Sequence, residues 1–309
     1  MQSLTKLARC VVVSLVAIVP ADVVDAATPC APLATTIGQS VPATAAPGSP
    51  KPAVVASLNL AGEARILGEV VAWTHQRHID VLLLQEVGPP SSDGAAFVAA
   101  LSEQLGFQSA YAPADIIGGA GWQGLAIVSR YPLDDIRVYP LEHHHLRFRS
   151  RCRIALTARV MTETGPIQVV NVHLDTRINS NDRLAQLAPV LEDLAGIHIP
   201  QIVGGDFNTM NVGWLQTMWP FPGFQRQSKA VQTLLGAGGF HTPFVDGPAT
   251  LTFLGVPFKL DWLYLKQLET IDCGVDDVRY SDHRGVWARV TPEDGSIAVS
   301  RQGSRPSCQ

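Results

Sequence analysis

Seven acidic, amide and imidazole side chains lie at the ends of segments with strand-like patterns of apolar residues, either at or just after a segment or just before the next one. They are Asn59, Glu86, His173, Asp206, Asn208, Asp282 and His283. A rigid sheet holds side chains at strand ends in fixed positions, while the loops beyond stay open to a substrate. Each residue alone has a structural explanation, since an Asp or Asn beside Gly is commonly a turn former. Their shared position at strand ends indicates an active site.

These residue types suit the hydrolysis of a phosphate ester. That reaction uses a hard divalent cation to offset phosphoryl charge, a base that activates water, and hydrogen-bond donors around the reacting phosphorus. Carboxylate and amide oxygens are suitable ligands for Mg²⁺, which needs only one or two protein carboxylates. We therefore expect Glu86 to bind the cation, with Asn59 and Asp282 beside it. His283 is the expected acid or base, and Asp261 is expected to fix its tautomer and stabilise the imidazolium.

Strands outnumber helices among the elements that must position these side chains. Helical spacing of apolar residues occurs over 63–77, 95–105 and 183–194, and Gly106 is expected to end the second helix. Together the elements predict a layered α/β fold, either a two-sheet sandwich flanked by helices or a doubly wound sheet. The strand-like segments are 54–60, 81–84, 125–129, 154–160, 167–174, 202–203, 260–265 and 285–290.

Several short motifs follow one another in a specific order between residues 53 and 290. They are Asn59, "LLLQEV" with Glu86, "GLAIVSRYPL" from Gly124, "NVHLD" with His173, "GGDFN" with Asp206 and Asn208, "LDWLYL" with Asp261, and "SDHR" with Asp282 and His283. This ordered set resembles the endonuclease/exonuclease/phosphatase superfamily, which has the DNase I-like fold. The resemblance implies a four-layer α/β/β/α sandwich with a metal-dependent phosphoesterase site at one end of its two sheets.

The resemblance also implies roles for individual side chains. It assigns Asp206 to position or activate the attacking water, Asn208 to hold the phosphate, and His173 to donate a hydrogen bond to a phosphate oxygen. Some family members carry an arginine on the strand before that histidine, and Arg153 is the expected match. Tyr111 corresponds to a tyrosine that lines the site and contacts substrate.

Two groups of basic residues lie between these motifs. Residues 143–145 are histidines, but neighbouring side chains in a strand or loop point in different directions, which argues against a shared metal. Four arginines at alternate positions predict either a phosphate-facing stripe or a solvated strand edge. They are Arg147, Arg149, Arg151 and Arg153.

Other polar and aromatic residues have simpler expected roles. Asp175 and Arg183 are expected to orient the loop after the "NVH" strand and not to contact substrate. Trp214, Trp219 and Phe221 predict either a wall that faces the substrate or aromatic packing beneath a long loop.

The first 27 residues have the parts of a secretory leader. Lys6 and Arg9 form a short positive region, residues 11–20 are almost entirely apolar, and Ala26 and Ala27 provide a small-residue cleavage site. The apolar run is shorter than the roughly 20 residues of a membrane span. We expect a secreted or periplasmic protein, with a signal anchor as the alternative.

The remaining chain divides into three parts by composition. Residues 28–52 are rich in Pro, Ala and Thr and predict an extended linker. Residues 53–292 hold the patterned strands and helices and predict the catalytic domain. Residues 293–309 are polar and predict a flexible tail.

Removal of the leader leaves Cys30, Cys152, Cys273 and Cys308. An even number of cysteines in an oxidising compartment permits two disulfides, in three possible pairings. The preferred pairing joins Cys152 with Cys273 and Cys30 with Cys308, and the alternative is that some cysteines stay free and buried. No C-x-x-C pair is present in the sequence, which argues against a zinc site.

Composition limits the classes of function. The chain has 309 residues, 46% of them hydrophobic, which is enough for a large globular core. Charged residues make up 16% and the net charge is −4, which excludes a strongly basic nucleic-acid-binding arm. A local basic patch is still sufficient to hold a backbone phosphate.

The sequence predicts a monomeric, magnesium-dependent phosphodiesterase, with manganese as a second candidate metal. A nuclease acting on DNA or RNA is the preferred interpretation, and neither a membrane span nor a protein partner is expected. The alternatives are a phosphomonoesterase, a lipid headgroup phosphodiesterase similar to sphingomyelinases or inositol phosphatases, and an inactive binding protein of the same fold.

Overall fold

The computed structural model of the chain describes residues 30–31, 33–38, 51–88, 94–117, 121–144, 151–176, 178–209, 226–253, 255–293 and 308. The predicted leader lies outside these residues, as do the aromatic residues Trp214, Trp219 and Phe221 and the basic residues His145, Arg147 and Arg149. Among the described residues, no helix is long and apolar enough to cross a membrane.

The described residues form strands and helices that alternate along the chain. Four α-helices are present in this part of the chain: α1 (Leu67–Arg77), α2 (Gly94–Leu105), α3 (Ser180–Ala195) and α4 (Arg226–Ala237). A 3-10 helix, Ala64–Ile66, precedes α1. The strands are β1 (Thr36–Ile37), β2 (Ala53–Asn59), β3 (Val81–Val87), β4 (Gln108–Ile117), β5 (Gly121–Ser129), β6 (Leu133–Pro140), β7 (Ile154–Thr162), β8 (Gly165–His173), β9 (Gln201–Asp206), β10 (Leu251–Phe253), β11 (Val256–Phe258), β12 (Asp261–Lys266), β13 (Leu268–Asp277) and β14 (Arg284–Pro292).

Most of these strands belong to two sheets. The larger has the spatial order β1-β4-β5-β3-β2-β14-β13, and the smaller has the order β12-β9-β8-β7-β6. A separate hairpin joins β10 to β11. In the larger sheet β2 and β3 are parallel, and in the smaller sheet β8 and β9 are parallel.

The alternation of side chains along the central strands creates two hydrophobic layers. On β2, Val55 packs between the two sheets, while Val54 and Ala56 face the other way toward α1 and α2. The smaller sheet is covered on its outer face by α3 and α4, through residues such as Leu187 and Leu235. This arrangement confirms the predicted four-layer α/β/β/α sandwich and excludes the doubly wound sheet.

Local signals account for several element ends. The Asn179 side chain accepts hydrogen bonds from the backbone N–H groups of Asn181 and Asp182, and so caps the start of α3. Helix α2 ends before Gly106, as predicted, and this glycine has a positive φ of 68°.

The elements that were not predicted lie mainly at the edges of the sheets. Strands β6 and β13 are edge strands, and they carry many exposed polar residues. An edge strand with one solvent-exposed face lacks the continuous apolar run that is typical of a central strand. Within the segment predicted as a linker, Thr36 pairs with Tyr111, so β1 joins the larger sheet next to β4.

The disulfides are Cys30–Cys152 and Cys273–Cys308, and the preferred pairing from the sequence is wrong. Cys152 lies two residues before β7, which packs across from β5, whereas Cys273 lies in β13 at the far edge of the larger sheet. Strand β13 is four positions from β5 in the sheet order. Four strand spacings amount to about 19 Å, well beyond the ~7 Å Cα separation that a disulfide spans.

A partly buried ion pair ties α1 to β13 and makes stability depend on pH. The Asp276 carboxylate accepts hydrogen bonds from Trp73 Nε1 at 2.9 Å and Arg77 Nε at 2.7 Å. Burial by itself raises the pKa of Asp276, but the hydrogen bonds from Arg77 and Trp73 outweigh it and lower that pKa below its ordinary value. A lowered pKa in the folded state stabilises the protein above the unfolded pKa, and this stability is lost as pH falls through the folded value.

We expect Asp276→Asn to lower the free energy of unfolding by about 1 kcal/mol at about pH 7. The loss is small because Arg77 is partly exposed, so solvent screens the ion pair. The difference from the wild type should shrink as pH falls below about 4, where the wild-type carboxylate itself becomes protonated. Urea unfolding from neutral pH to below about pH 4 measures the loss of stability and its change with pH. Asp277→Asn, at a far more exposed carboxylate, is the control and should have little effect at any pH. A difference for Asp276→Asn that does not vary with pH would contradict the prediction.

Candidate active site

The ends of five strands, β2, β3, β8, β9 and β12, bring the predicted site residues to one end of the sandwich. In the larger sheet, the parallel register places Asn59 beside Gln85, the residue before Glu86. In the smaller sheet, His173 is aligned with Asp206 in the parallel pair of β8 and β9, and Asp261 is aligned with Asp206 across β9 and β12. Because both parallel pairs end at the same side, side chains distant in sequence meet.

Asp206 is the centre of this cluster. Its Oδ2 atom accepts a hydrogen bond from Asn59 Nδ2 at 3.0 Å and lies 3.4 Å from His173 Nε2 and 3.9 Å from His283 Nε2. Its Oδ1 atom accepts the backbone N–H of Asn208 at 2.9 Å. The carboxylate is almost completely buried. Burial and the negative charge of Asp261 raise the pKa of Asp206 to about 7, with the charge of His283 and the hydrogen bonds acting against the rise.

His283 forms a carboxylate–imidazole pair with Asp261. The distance from His283 Nδ1 to Asp261 Oδ2 is 2.8 Å, so Nδ1 is the protonated nitrogen that donates to the carboxylate and Nε2 faces Asp206. The backbone N–H of His283 donates to Ser281 Oγ at 2.9 Å, and Ser281 Oγ donates to the Asn59 carbonyl at 2.7 Å. Burial alone would lower the pKa of His283, but the carboxylates around it raise that pKa to about 10. The imidazole is therefore cationic at neutral pH.

His173 is neutral and is oriented by Arg153. Arg153 Nη1 lies 3.0 Å from His173 Nδ1, and because a guanidinium can only donate, Nδ1 is the acceptor. The proton of the neutral ring is then on Nε2, which points to Asp206 and to Glu86 Oε1 at 3.9 Å. Burial, together with the positive charges of Arg153 and His283, holds the pKa of His173 well below its ordinary value.

Glu86 lies at an irregular point of β3, where the register with β5 shifts between Leu84 and Val87. Its φ of 50° is unusual for a residue other than glycine. A bulge of this kind redirects a side chain, and here the carboxylate is left partly exposed at the rim of the site. It borders a cleft that is also lined by Arg153 and His173.

Two buried amides join the sheets directly behind the site. Gln85 Nε2 donates to Asn171 Oδ1 at 2.7 Å, and Asn171 Nδ2 donates to the carbonyls of Leu84 and Ala126 at 2.8 and 2.9 Å. Both amide side chains are fully buried. Gln85 precedes Glu86 and Asn171 lies two residues before His173, so this contact links the strands that carry those residues. The sequence did not identify the pair, although a polar residue inside each apolar strand was a visible signal.

Three other predicted site residues occupy different environments. Asn208 is buried with a positive φ of 50°, and its Nδ2 donates to the Leu174 carbonyl at 2.8 Å. Asp282 is exposed and contributes to the raised pKa of His283. Tyr111 lies in the core between the larger sheet and α2, and its hydroxyl donates to the Trp122 carbonyl. The expected contact of Tyr111 with substrate is therefore not supported, because its ring faces away from the site.

The remaining polar candidates mainly organise the loops around the site. Arg151 pairs with Asp115 at 2.9 Å, so only Arg153 of these two arginines contacts the cluster. Arg183 is buried and donates to the Asp175 carbonyl, which matches its predicted role in orienting the loop after β8.

The histidine run lies partly within the described residues. His143 is near Cys30 and Cys152, and possible ligand atoms of the three lie within 4.8 Å of one another. The two sulfurs are joined in a disulfide, so they do not act as thiolate ligands.

The donor set fits a hard divalent cation. Carboxylate oxygens of Glu86 and Asp206 both approach His173 Nε2, so they converge on one place. Carboxylate oxygens of Asp206 and Asp261 also lie within 4.8 Å of each other. Asp261 Oδ1 is buried and accepts no hydrogen bond from any described residue. Such an excess of anionic oxygen, buried and only partly neutralised, is the environment that Mg²⁺ or Mn²⁺ binds.

Comparison with known proteins gives a consistent result. Residues 56–283 match the profile of the Endonuclease/Exonuclease/phosphatase family. No curated protein sequence matches the chain.

Solved structures share the fold at low sequence identity. An endonuclease/exonuclease/phosphatase from Beutenbergia cavernae DSM 12333 has 20% identity and a TM-score of 0.62, covering 80% of this chain and 73% of that chain. An endonuclease/exonuclease/phosphatase from Bacteroides vulgatus has 17% identity and a TM-score of 0.59, covering 78% and 99%. The human Nocturnin catalytic domain, solved with a bound sulfate anion, has 19% identity and a TM-score of 0.55, covering 78% and 94%.

Proposed function

The chain belongs to the endonuclease/exonuclease/phosphatase family of phosphoesterases, and from this premise we propose that it is a magnesium-dependent nuclease that hydrolyses phosphodiester bonds. The convergence of Asn59, His173 and His283 on the buried carboxylate of Asp206 carries the proposal. This arrangement combines a base, a cationic acid and a neutral donor within a few ångströms, which is what in-line attack of water on a phosphate ester uses.

Metal binding is assigned to the rim of the site. A bound divalent cation supplies positive charge to the phosphoryl oxygens and lowers the pKa of water. Glu86 is the assigned ligand because its carboxylate is partly exposed and points toward the cluster. The Asn59 amide oxygen already accepts the Ala61 N–H at 2.9 Å, so its second lone pair is the one left for a cation. Asp282 would contribute from the exposed side.

The two titrating groups at the centre have opposite roles. Asp206, with a pKa raised to about 7, is suited to accept a proton from the attacking water near neutral pH. His283, with a pKa raised to about 10, enters the reaction protonated and is suited to donate a hydrogen bond or proton through Nε2. Asp261 fixes the tautomer of His283, as in other carboxylate–imidazole pairs.

Neutral and cationic donors then hold the phosphate. The Nε2–H of His173 faces the centre of the site because Arg153 occupies Nδ1. Asn208 uses one amide hydrogen for the Leu174 carbonyl, which leaves its second for a phosphate oxygen. Arg153 adds a fixed positive charge at the cleft wall.

Export of the protein is part of the proposal. The leader-like first 27 residues and two disulfides support a secreted or periplasmic location, because such bonds persist in oxidising compartments. A scavenging or digestive nuclease fits that location.

Nicking of supercoiled plasmid by the purified protein tests the proposal. We expect nicked circles in Mg²⁺, no reaction in EDTA, and recovery when Mg²⁺ is restored. Glu86→Gln should slow nicking by at least about tenfold through weaker metal binding, which raised Mg²⁺ partly offsets. Glu103→Gln, at an exposed site on α2, is the matched control and should react at the wild-type rate.

Two outcomes would contradict this assignment. Nicking that persists in EDTA would exclude the metal-dependent mechanism, and a fully active Glu86→Gln variant would exclude Glu86 as the ligand. A folded protein that binds Mg²⁺ but cuts no nucleic acid would instead point to a phosphomonoesterase or a lipid headgroup phosphodiesterase.

A further inference from the structure

The surface around His283 carries exposed aromatic rings. Among the described residues, the exposed large apolar side chains include two aromatic rings, Phe253 at 61% exposure and Tyr280 at 36%. Both lie near His283, Phe253 through a strand that pairs with His283 and Tyr280 through the loop that carries it. Exposed aromatic rings near a candidate catalytic group are available to contact a substrate.

Phe253 is held next to His283 by strand pairing. It ends β10, and Leu251 at the start of that strand forms an antiparallel bridge with His283. The neighbouring backbone N–H of Arg284 donates to the Thr250 carbonyl at 2.7 Å. Leu251 and Phe253 share one face of the strand, so the Phe253 and His283 Cα atoms are about 9 Å apart by strand geometry.

Tyr280 belongs to the loop that carries His283. It has a positive φ of 73°, a costly conformation for a bulky residue. The next residue, Ser281, is fixed between the Asn59 carbonyl and the His283 N–H. Three Cα steps separate Tyr280 from His283, which limits their Cα separation to about 11 Å. Tyr280 therefore lies on the same loop as His283, within three residues of it.

Two arginines lie against the Tyr280 ring. The guanidinium carbon of Arg65 is 4.9 Å from the ring centroid, and that of Arg279 is 4.7 Å away. Their side chains are about 70% exposed, and their carboxylate partners are Glu63 and Glu69. Exposed ion pairs contribute little free energy, so a phosphate can replace the carboxylates.

We propose that Phe253, Tyr280, Arg65 and Arg279 form an aromatic rim that binds single-stranded nucleic acid beside the catalytic site. The inference rests on the proposed nuclease function and names its substrate class. Bases of a single strand are free to stack on the Phe253 ring and on the Arg65 and Arg279 guanidinium planes that Tyr280 supports, whereas those of a duplex are stacked on one another.

Binding of labelled oligonucleotides without metal tests the rim separately from catalysis. Fluorescence anisotropy in EDTA compares a single-stranded DNA 20-mer, the RNA of the same sequence and the DNA duplex. We expect both single strands to bind more tightly than the duplex. Phe253→Ala and Tyr280→Ala should each raise the Kd for single strands roughly 5- to 150-fold, the range found for loss of one stacked base. Phe253→Trp should retain wild-type affinity.

Ile271→Ala is the matched control. Ile271 is also an exposed apolar residue, at 50%, but it lies on β13 about 20 Å along the strand from the end near His283. Its replacement should leave the Kd unchanged. All of these variants should hydrolyse bis(p-nitrophenyl) phosphate at the wild-type rate, since this small diester requires the metal site and not the rim.

The outcomes separate the two proposals. Tighter binding of the duplex, or an unchanged Kd in both alanine variants, would overturn the rim. Absence of diester hydrolysis in Mg²⁺ would overturn the proposed function, while the binding measurements in EDTA would still decide the rim. A decrease in small-diester hydrolysis equal to the loss of oligonucleotide affinity would also overturn the proposed rim, because the residues would then support the catalytic site itself.

Discussion

His283→Gln is expected to reduce kcat by about 10²- to 10⁴-fold on any phosphodiester that the protein hydrolyses. The substitution removes the imidazolium whose Nε2 faces Asp206 at 3.9 Å, and with it the only protonated ring in the described cluster. KM should change much less, because His173, Asn208 and the metal site would still hold the phosphate. Initial rates over a range of substrate concentrations, at saturating Mg²⁺, separate the two parameters.

Glutamine is chosen because the partner of His283 is buried. Asp261 is fully buried, and His283→Ala would leave its carboxylate without the ring that it pairs with. Loss of one member of a buried pair is strongly destabilising, so an inactive alanine variant could simply be unfolded. A glutamine amide can still donate to Asp261, and a thermal unfolding curve checks the fold.

His75→Gln provides the matched control, since His75 is an exposed histidine on α1. It should retain the wild-type kcat. A His283→Gln variant that keeps more than about a tenth of wild-type kcat would remove His283 from the acid role, because general acid catalysis contributes more than that.

The position of the site was predictable because parallel strand pairs align their ends. Asn59 pairs with Gln85 and His173 pairs with Asp206, so polar residues directly after apolar runs meet at one edge. The ordered motifs then selected the sandwich over the doubly wound sheet. Both inferences depend on local patterns, and local patterns are what a sequence displays directly.

The parts that were missed depend on the order of strands or on the face of a strand. The cysteine pairing follows from the distance between β7 and β13 across the sandwich, which no local pattern encodes. Tyr111 was assigned to the site, but Ala110 and Ala112 face the space between the sheets. Successive side chains on a strand alternate, so Tyr111 faces α2.

The contact between Gln85 and Asn171 was missed for a similar reason. The two residues are 86 positions apart and belong to different sheets, so only the packing of one sheet on the other brings their amides together. Their burial in an otherwise apolar interior makes every hydrogen bond that they form important, because a buried polar group without a partner is costly.

Asn171→Ala is therefore expected to lower the free energy of unfolding by about 3 kcal/mol. The change removes the donor to the Leu84 and Ala126 carbonyls and the acceptor of Gln85 Nε2, and it leaves a cavity between the sheets. Urea unfolding at neutral pH measures the loss. Asn181→Ala, at an exposed asparagine on α3, is the matched control and should change stability by less than about 0.5 kcal/mol.

A double-mutant cycle identifies the contact itself as the source of the loss. If Gln85 and Asn171 stabilise the protein through each other, Gln85→Ala should cost much less in the Asn171→Ala background than in the wild type, with a coupling of about 1 kcal/mol or more. Additive losses would show that each amide acts only on its own backbone partners. Because Glu86 and His173 lie on the two strands that the contact joins, a coupled pair should also lower kcat in both single variants, under conditions where each remains folded. Wild-type kcat in folded Asn171→Ala would limit the contact to a role in stability.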